Sequence, residues 1–216
     1  MKLVKIEKPV PEARELIEAA EIIKAGGLVV FPTETVYGLG ADALNPCAVA
    51  RVYEVKRRPK DQPLSIAVAE VGAIKQFVQK IPEVAQRLWQ RFLPGPLTLI
   101  LFKSEIIPDI VTGGNKKIGI RIPDHPVALS LIRLVARPIT ATSANLTGKP
   151  SPNEVTNIIS DIGDKVDLII DAGPTKFGQE STILDLTDTP TILRIGAISR
   201  AEIEAIIGPV QYASDI

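Results

Sequence analysis

The segment Phe31-Pro32-Thr33-Glu34-Thr35-Val36-Tyr37-Gly38-Leu39-Gly40-Ala41 decides how this chain is interpreted. The apolar run at 28–31 predicts a short buried strand, and Pro32 ends it because proline has no amide hydrogen to give to a sheet. Polar side chains follow, and Gly38 and Gly40 leave the backbone free to approach a ligand closely. Open α/β sheets commonly bind small molecules where a strand ends in such a loop. The segment therefore predicts an α/β fold with a ligand site at the end of this strand.

Two further polar clusters predict that the ligand is an anion. The first is Lys56-Arg57-Arg58-Pro59-Lys60, and the second is Thr142-Ser143-Ala144-Asn145, which follows an apolar strand. Guanidinium, ammonium and hydroxyl groups are common phosphate ligands. The residues alone leave an alternative open, because a basic helix C-terminus often only complements the helix dipole. The chain contains neither GxxxxGK[ST] nor GxGxxG, so a Walker loop and a dinucleotide-binding fold are not indicated.

Composition narrows the class of protein. A length of 216 residues suits one domain. Lys plus Arg and Asp plus Glu both number 25, so the net charge is zero, which argues against nucleic-acid binding through an extended basic face. A single cysteine excludes an internal disulfide and a CxxC zinc site. No segment resembles a signal peptide or reaches membrane-spanning length, so we expect a cytoplasmic protein.

The order of the elements predicts a mixed sheet with helices packed on it. Strands alternate with helices in the first part of the chain and follow one another after residue 166. Apolar periodicity and capping residues predict helices at 11–24, 46–58, 71–79, 82–91, 125–134 and 153–159, and one after Ser199. Strands are predicted at 28–31, 64–69, 97–102, 118–122, 138–142, 166–171, 181–186 and 191–195, with an edge strand near the N-terminus.

Four motifs together resemble, in order and spacing, the YrdC-like family of L-threonylcarbamoyladenylate synthases. They are Pro32-Thr33-Glu34-Thr35-Val36-Tyr37-Gly38-Leu39, Lys56-x-Arg58-Pro59, Pro94-Gly95-Pro96-Leu97-Thr98 and Ser143-x-Asn145. The resemblance runs from about residue 12 to residue 198. Many members of the family carry a further C-terminal domain after a linker, but this sequence stops soon after Gly208-Pro209, so we expect a single YrdC-like domain over 1–216 without a further C-terminal domain. The resemblance also implies the α/β fold of that family, a twisted mixed β-sheet flanked by helices with a concave basic ligand cleft.

The resemblance implies an activity and partners. The expected enzyme is a nucleotidyltransferase that joins L-threonine, bicarbonate and ATP into threonylcarbamoyl-AMP and pyrophosphate. The product serves the threonylcarbamoyladenosine modification of tRNA next to the anticodon. The expected partners are these substrates, the threonylcarbamoyl-transfer machinery and tRNA, with no membrane. Other functions remain open: an RNA-binding module, a non-synthase paralogue of the same fold, and a carbamoyl-adenylate-forming enzyme.

Individual residues receive roles from the same resemblance. Lys56 and Arg58 are expected to be catalytic through their charge, since the reaction needs no protein nucleophile. The residues expected at the nucleotide are Arg58, Gln62, Lys117, Ser143, Asn145, Ser151 and Arg194. The residues expected at threonine are Thr35, Tyr37, Arg121, Thr142 and Ser181. No protein metal site is expected, and Mg²⁺ is expected to arrive on the ATP phosphates.

For two charged residues, the sequence alone allows two alternative roles each. Glu34 could be a general base for the threonine ammonium, or it could cap its own loop. Arg121 could hold the threonine carboxylate, or it could be an exposed strand charge. Ala67 stands where relatives often carry histidine, which leaves the selectivity for threonine over serine open.

Overall fold

The computed structural model describes residues 1–8 and 11–213. Within these residues, seven α-helices and twelve β-strands follow one another along the chain. The helices are α1 (Ala13–Lys24), α2 (Pro46–Lys56), α3 (Val71–Ile74), α4 (Glu83–Phe92), α5 (Pro126–Val135), α6 (Val155–Ile162) and α7 (Arg200–Ile207). The strands are β1 (Lys2–Lys5), β2 (Val29–Phe31), β3 (Gly38–Gly40), β4 (Ser65–Ala67), β5 (Leu97–Phe102), β6 (Lys117–Arg121), β7 (Ile139–Thr140), β8 (Thr142–Ser143), β9 (Leu168–Asp171), β10 (Thr182–Asp185), β11 (Thr191–Arg194) and β12 (Gln211–Tyr212).

The strands form two mixed sheets. The five-stranded sheet has the order β1-β9-β2-β3-β8, and the seven-stranded sheet has the order β12-β11-β10-β5-β6-β4-β7. Parallel and antiparallel pairs occur in both: β2 is parallel to β9 and antiparallel to β3, and β5 is parallel to β10 and antiparallel to β6. The predicted mixed α/β class, with helices flanking twisted sheets, is confirmed. The expected single sheet is corrected to two.

The predicted strand 138–142 explains this difference. Its first part, β7, pairs with β4 of the larger sheet, and its second part, β8, pairs with β3 of the smaller one. Thr140 links the two sheets, because its Oγ1 donates to the Leu39 carbonyl at 2.9 Å and accepts from the Ala41 amide at 3.0 Å. We call residues 139–143 the sheet junction. An apolar strand pattern indicates burial but does not show which neighbours the strand pairs with, so this division could not be predicted.

Local sequence signals account for several helix ends. The Asn45 side chain accepts from the amides of Cys47 and Ala48 at the start of α2, and Pro46 occupies the first turn. The helix ends because Arg57 adopts a left-handed conformation, with φ of 49°. Ser199 and Glu202 form the predicted capping box of α7.

Two apolar clusters hold the sheets and helices together. Helices α1 and α5 pack on each other and on the smaller sheet, burying residues that include Leu16, Ile23, Leu131 and Val135. A larger cluster covers the other faces and includes α2 and α4. None of the helices in the described part of the chain is long and apolar enough to span a bilayer.

The glycine-rich segment after Tyr37 is a strand rather than the loop expected there. Gly38–Gly40 pairs with β2 and β8 in the centre of the smaller sheet. A Cβ at Gly38 would lie 2.9 Å from the Phe31 ring, so a side chain there would displace that ring. Glycine therefore serves close packing at this position.

Candidate functional site

A cleft with a cavity volume of about 180 Å³ opens beside the sheet junction. One wall comes from the smaller sheet through Thr33, Tyr37 and Gly38. The other comes from the larger sheet through strands that carry Arg121 and Arg194. The two sheets together therefore build the candidate site.

The cleft brings together seven of the residues that the sequence singled out. They are Tyr37, Arg58, Arg121, Thr142, Ser143, Ser181 and Arg194. The other six are not among the lining residues: Thr35, Lys56, Gln62, Lys117, Asn145 and Ser151. Several of these six support a lining residue from behind, as the contacts below show.

Arg58 is positioned by its own loop. Its Nε donates to the Gln62 carbonyl at 3.1 Å, and its Nη2 donates to the Pro63 carbonyl at 2.9 Å. Burial lowers the pKa of the Arg58 guanidinium, although Tyr53 and Glu180 act in the opposite direction. Gln62 thus reaches the site through its main chain, because its side chain is exposed and does not line the cleft.

Lys56 lies behind the cleft rather than in it. The residue is 2% exposed. Its ammonium donates to the Ser143 carbonyl at 2.5 Å, the Asn145 carbonyl at 2.8 Å and the Asn145 Oδ1 at 3.0 Å. An ammonium has three hydrogens, so these acceptors use all of its donors. The geometry corrects the expectation of a charge placed directly against phosphate: Lys56 holds the loop that presents Ser143.

The environment of Lys56 perturbs its ionisation. Burial lowers the pKa of Lys56 to about 7, the positive charge of Arg58 acts in the same direction, and Glu180 opposes them. Asn145 completes the arrangement, since its Oδ1 also accepts from the Ser143 hydroxyl at 2.7 Å. Lys56 therefore holds the main-chain carbonyl of Ser143, and Asn145 holds its hydroxyl.

Glu180 links Arg194 to Ser151 at the edge of the cleft. Its carboxylate forms an ion pair with Arg194 and accepts from the Ser151 hydroxyl at 2.6 Å. Burial lowers the pKa of Arg194, Glu180 raises it, and the charges of Arg121 and Arg58 lower it further. Three arginines thus converge on one cleft. Among the described residues that line it, Glu180 is the one that carries a carboxylate.

Arg121 is buried, so it is not the exposed strand charge that the residue pattern also allowed. Its side chain is 10% exposed, and its Nη2 lies 2.7 Å from Oε1 of Glu34, whose side chain is 3% exposed. The contact is close but poorly aligned. Among the described residues, neither Glu34 oxygen has a hydrogen-bond donor, and Arg121 Nε and Nη2 have no acceptor.

Thr33 takes the position in the cleft that was expected of Thr35. Thr33 Oγ1 donates to the Val36 carbonyl at 2.6 Å and contacts Thr35 Oγ1 at 2.9 Å. Thr35 is fully buried, and its carbonyl accepts from Thr175. Thr33 Oγ1 also accepts from the amides of Thr35 and Val36, so its side chain forms a turn that replaces the extended main chain here.

Tyr37 contributes its ring to the wall but keeps its hydroxyl away from the cleft. The hydroxyl donates to the Gly173 carbonyl at 2.7 Å and accepts from the Ala172 amide at 3.1 Å. Burial raises the pKa of Tyr37 to about 12. The Tyr37 hydroxyl, which was expected to contact the ligand, therefore forms its hydrogen bonds within the protein.

Lys117 does not reach the cleft. It pairs with Asp185 at 2.8 Å, at the opposite end of β6 from Arg121. Ser181, in contrast, lines the cleft, with its Oγ 2.9 Å from Thr98 Oγ1, and its contact with threonine stays a prediction. Sequence reasoning missed Ser65 and Thr98 as lining residues, although Thr98 ends a motif that carried the family resemblance.

The described residues do not hold a preformed metal site. No group of three His, Cys, Asp or Glu side chains comes together among them. A metal ion in the cleft would therefore depend on the ligand for most of its coordination, with Glu180 as the available carboxylate.

Fold and cleft together define an α/β protein with a small-molecule site in which arginines, hydroxyls and one carboxylate converge. The Sua5/YciO/YrdC family model, which carries the description "Telomere recombination", matches residues 21–196. The chain belongs to this family, as its motifs predicted.

Relatives and solved structures agree with this assignment. A threonylcarbamoyl-AMP synthase of Pyrococcus abyssi is 49% identical over 89% of this chain, and one of Bacillus subtilis is 46% identical over 91%. The chain spans 57% of the length of each of these relatives. The crystal structure of P. abyssi Sua5 complexed with L-threonine superposes with a TM-score of 0.96 at 45% identity, covering 99% of this chain and 63% of that one.

Proposed function

We propose that this chain is an L-threonylcarbamoyladenylate synthase, a nucleotidyltransferase that forms threonylcarbamoyl-AMP and pyrophosphate from L-threonine, bicarbonate and ATP. The observation that carries the proposal is the convergence of Arg58, Arg121 and Arg194 on one cleft beside Ser143 and Ser181. The names of the P. abyssi and B. subtilis relatives support it, as does the L-threonine in the P. abyssi structure.

The reaction requires the protein to position its substrates and does not require a protein nucleophile. The threonine amine adds to carbon dioxide from bicarbonate and loses a proton, which gives a carbamate. A carbamate oxygen then attacks the α-phosphorus of ATP, and the bond between that phosphorus and the bridging oxygen breaks, releasing pyrophosphate. Charge accumulates on phosphate oxygens, where guanidinium and hydroxyl donors stabilise it.

The proposed roles divide the lining residues between the amino acid and the phosphates, and each group draws on both walls of the cleft. Arg121 binds the threonine carboxylate, with Ser181 and Thr142 close to the rest of the amino acid. Arg58, Arg194 and Ser143 bind the phosphates. Lys56, Asn145, Ser151 and Gln62 act behind these residues, through the hydrogen bonds described above. The cavity volume of about 180 Å³ is below the range of roughly 300–1,000 Å³ for drug-sized ligands, so a nucleotide would extend out of the cleft.

Magnesium and the downstream partners complete the proposal. Mg²⁺ would neutralise the phosphates of ATP, and Glu180 would offer it one protein oxygen, a donor type that Mg²⁺ prefers. The product would pass to an enzyme that transfers the threonylcarbamoyl group to adenosine in tRNA. We place these steps, and a contact with tRNA, in the cytoplasm.

Pyrophosphate release tests the proposal. Purified protein with ATP, Mg²⁺, bicarbonate and L-threonine should release pyrophosphate, and omission of threonine or bicarbonate should abolish the release. Arg58→Ala serves as a control for contaminating activity. Release that does not depend on threonine would refute the proposed reaction. Turnover with carbamoyl phosphate in place of threonine and bicarbonate would indicate a carbamoyl-adenylate former, and tRNA binding without ATP turnover would indicate an RNA-binding module.

A further inference from the structure

The contact between Glu34 and Arg121 is unusual for a buried ion pair. Both side chains are at least nine-tenths buried, and their nearest atoms are 2.7 Å apart. Yet Glu34 Oε1 and Oε2 and Arg121 Nε and Nη2 all lack an aligned hydrogen-bond partner among the described residues. A buried charged pair is normally tolerated only when further hydrogen bonds satisfy its remaining atoms. The pair is therefore under-bonded in the free protein.

Main-chain hydrogen bonds anchor the segment that carries Glu34. The main chain of Glu34 accepts from the Phe177 amide at 2.9 Å, and the Thr33 turn holds it on the other side. His125 also lies near the Glu34 carboxylate: burial lowers the pKa of His125, and the charge of Glu34 raises it. The main chain therefore anchors the segment that places the Glu34 carboxylate beside Arg121.

Arg121 is subject to two opposing forces. The positive charge of Arg194 lies close enough for the two guanidinium groups to repel each other, as the effect of Arg121 on the pKa of Arg194 indicates. Glu34 attracts Arg121 across a contact of 2.7 Å. Without Glu34, Arg121 would lose this attraction while the repulsion from Arg194 would remain, so its guanidinium would be free to turn to another orientation.

We propose that Glu34 is a positioning residue for Arg121, and that a substrate carboxylate completes the hydrogen bonding of the pair. A guanidinium has five N–H donors in a plane, so one edge can face Glu34 while another binds a ligand carboxylate. The pair as a whole is neutral, so the subsite accepts an amino acid as a zwitterion without adding net charge to a buried place. This inference rests on the proposed function, because it assumes that an amino acid occupies the cleft.

Calorimetric binding of L-threonine and of ATP to Glu34→Gln tests the inference. The affinity for threonine should fall by about 10–100-fold, the usual effect of removing the partner that orients a ligand-binding side chain. The affinity for ATP should stay within about twofold of wild type, because Arg58 and Arg194 are unchanged. Asp42→Asn is the matched control: Asp42 is also a buried carboxylate paired with an arginine, Arg137 at 2.6 Å, but lies outside the cleft. The Asp42→Asn variant should bind L-threonine with the affinity of wild type.

A second ligand separates orientation from other roles of Glu34. L-threoninamide keeps the ammonium and the side chain but lacks the carboxylate, so Glu34→Gln should change its affinity far less than that of threonine. Equal losses for both ligands would mean that Glu34 contacts the ammonium directly and would overturn the inference. Tighter threonine binding by Glu34→Gln would overturn it too, because Glu34 would then be a competitor for Arg121.

The fold and the proposed function are checked in the same experiment. If Glu34→Gln does not fold, Glu34→Asp replaces it, with the same comparison of threonine against threoninamide. Wild-type protein that binds no threonine would refute the proposed function and this inference together. Wild-type protein that binds threonine, with variants that bind it equally well, would refute the inference alone.

Discussion

Replacement of Lys56 by methionine tests the strongest coupling between folding and ionisation in this protein. Methionine approximates the length of the lysine side chain but removes its three hydrogen bonds to the loop of Ser143 and Asn145. In the unfolded chain lysine titrates near 10.4, whereas burial lowers the pKa of Lys56 to about 7 in the folded protein. Between these values unfolding takes up a proton, so the folded form gains stability as pH rises through and above about 7.

The magnitude follows from proton linkage. Each pH unit between the two pKa values changes the free energy of unfolding by up to about 1.4 kcal/mol. Between about pH 7 and about pH 9, the free energy of unfolding of wild type should therefore rise by roughly 2–3 kcal/mol relative to that of Lys56→Met. Urea unfolding of both proteins over this range gives the difference directly, and effects of other titrating groups cancel. Lys103→Met is the control, because Lys103 also donates to a carbonyl, that of Ile107 at 2.8 Å, but keeps its side chain 15% exposed.

A pH-independent difference between wild type and Lys56→Met would refute this reasoning. It would mean that the three acceptors keep the ammonium charged despite burial, since a neutral amine has only two hydrogens for them. The same variant should weaken nucleotide binding, because Ser143 loses the residue that holds its carbonyl. Unchanged nucleotide affinity would show that Asn145 alone positions Ser143.

Three other variants test the assignment of the cleft. Arg58→Ala should lower kcat/KM for pyrophosphate release by roughly 100–1,000-fold, the scale of a lost preorganised donor, and a loss below tenfold would remove Arg58 from the phosphate site. Arg57→Gly should leave activity unchanged and stabilise the protein by up to about 1 kcal/mol, because relief of about 1–2 kcal/mol of left-handed strain exceeds the added entropy of the unfolded chain; a drop in the urea midpoint would contradict this. Tyr37→Phe should cost about 1–3 kcal/mol of stability through the unpaired Gly173 carbonyl and Ala172 amide, without raising the KM for threonine. A higher KM at unchanged stability would place the hydroxyl at the ligand after all.

Features set by neighbours in sequence could be predicted, and features set by distant contacts could not. Asn45 and Ser199 cap the predicted helices because a cap needs only the next three residues. The strand Leu97–Phe102 has the predicted bounds because its apolar run is bordered by a proline turn. In contrast, Lys56 is separated by 87 residues from Ser143, whose carbonyl it binds, and the periodicity around Lys56 indicated only a basic helix end.

The candidate site shows the same division. The residue types in the three polar clusters indicated an anionic ligand, and four of the site residues named within them, Tyr37, Arg58, Thr142 and Ser143, line the cleft. The family resemblance supplied the other three, Arg121, Ser181 and Arg194. Which of Thr33 and Thr35 faces the ligand depends on a turn formed by the side chain of Thr33 itself. That Glu34 lies against Arg121 depends on how the two sheets meet, which no local pattern records.

The sheet junction has a consequence for how the protein opens. Because Gly38 and Ser143 lie on the smaller sheet while Arg121 and Arg194 lie on the larger one, a ligand in the cleft contacts both sheets at once. In the free protein, we expect the two sheets to exchange their amide hydrogens through separate partial openings. A bound ligand raises the free energy of any state in which either sheet has separated. Substrate should therefore slow amide exchange in strands that do not line the cleft, such as β9 of the smaller sheet and β12 of the larger one, and merge two separately opening regions into a single cooperative unit.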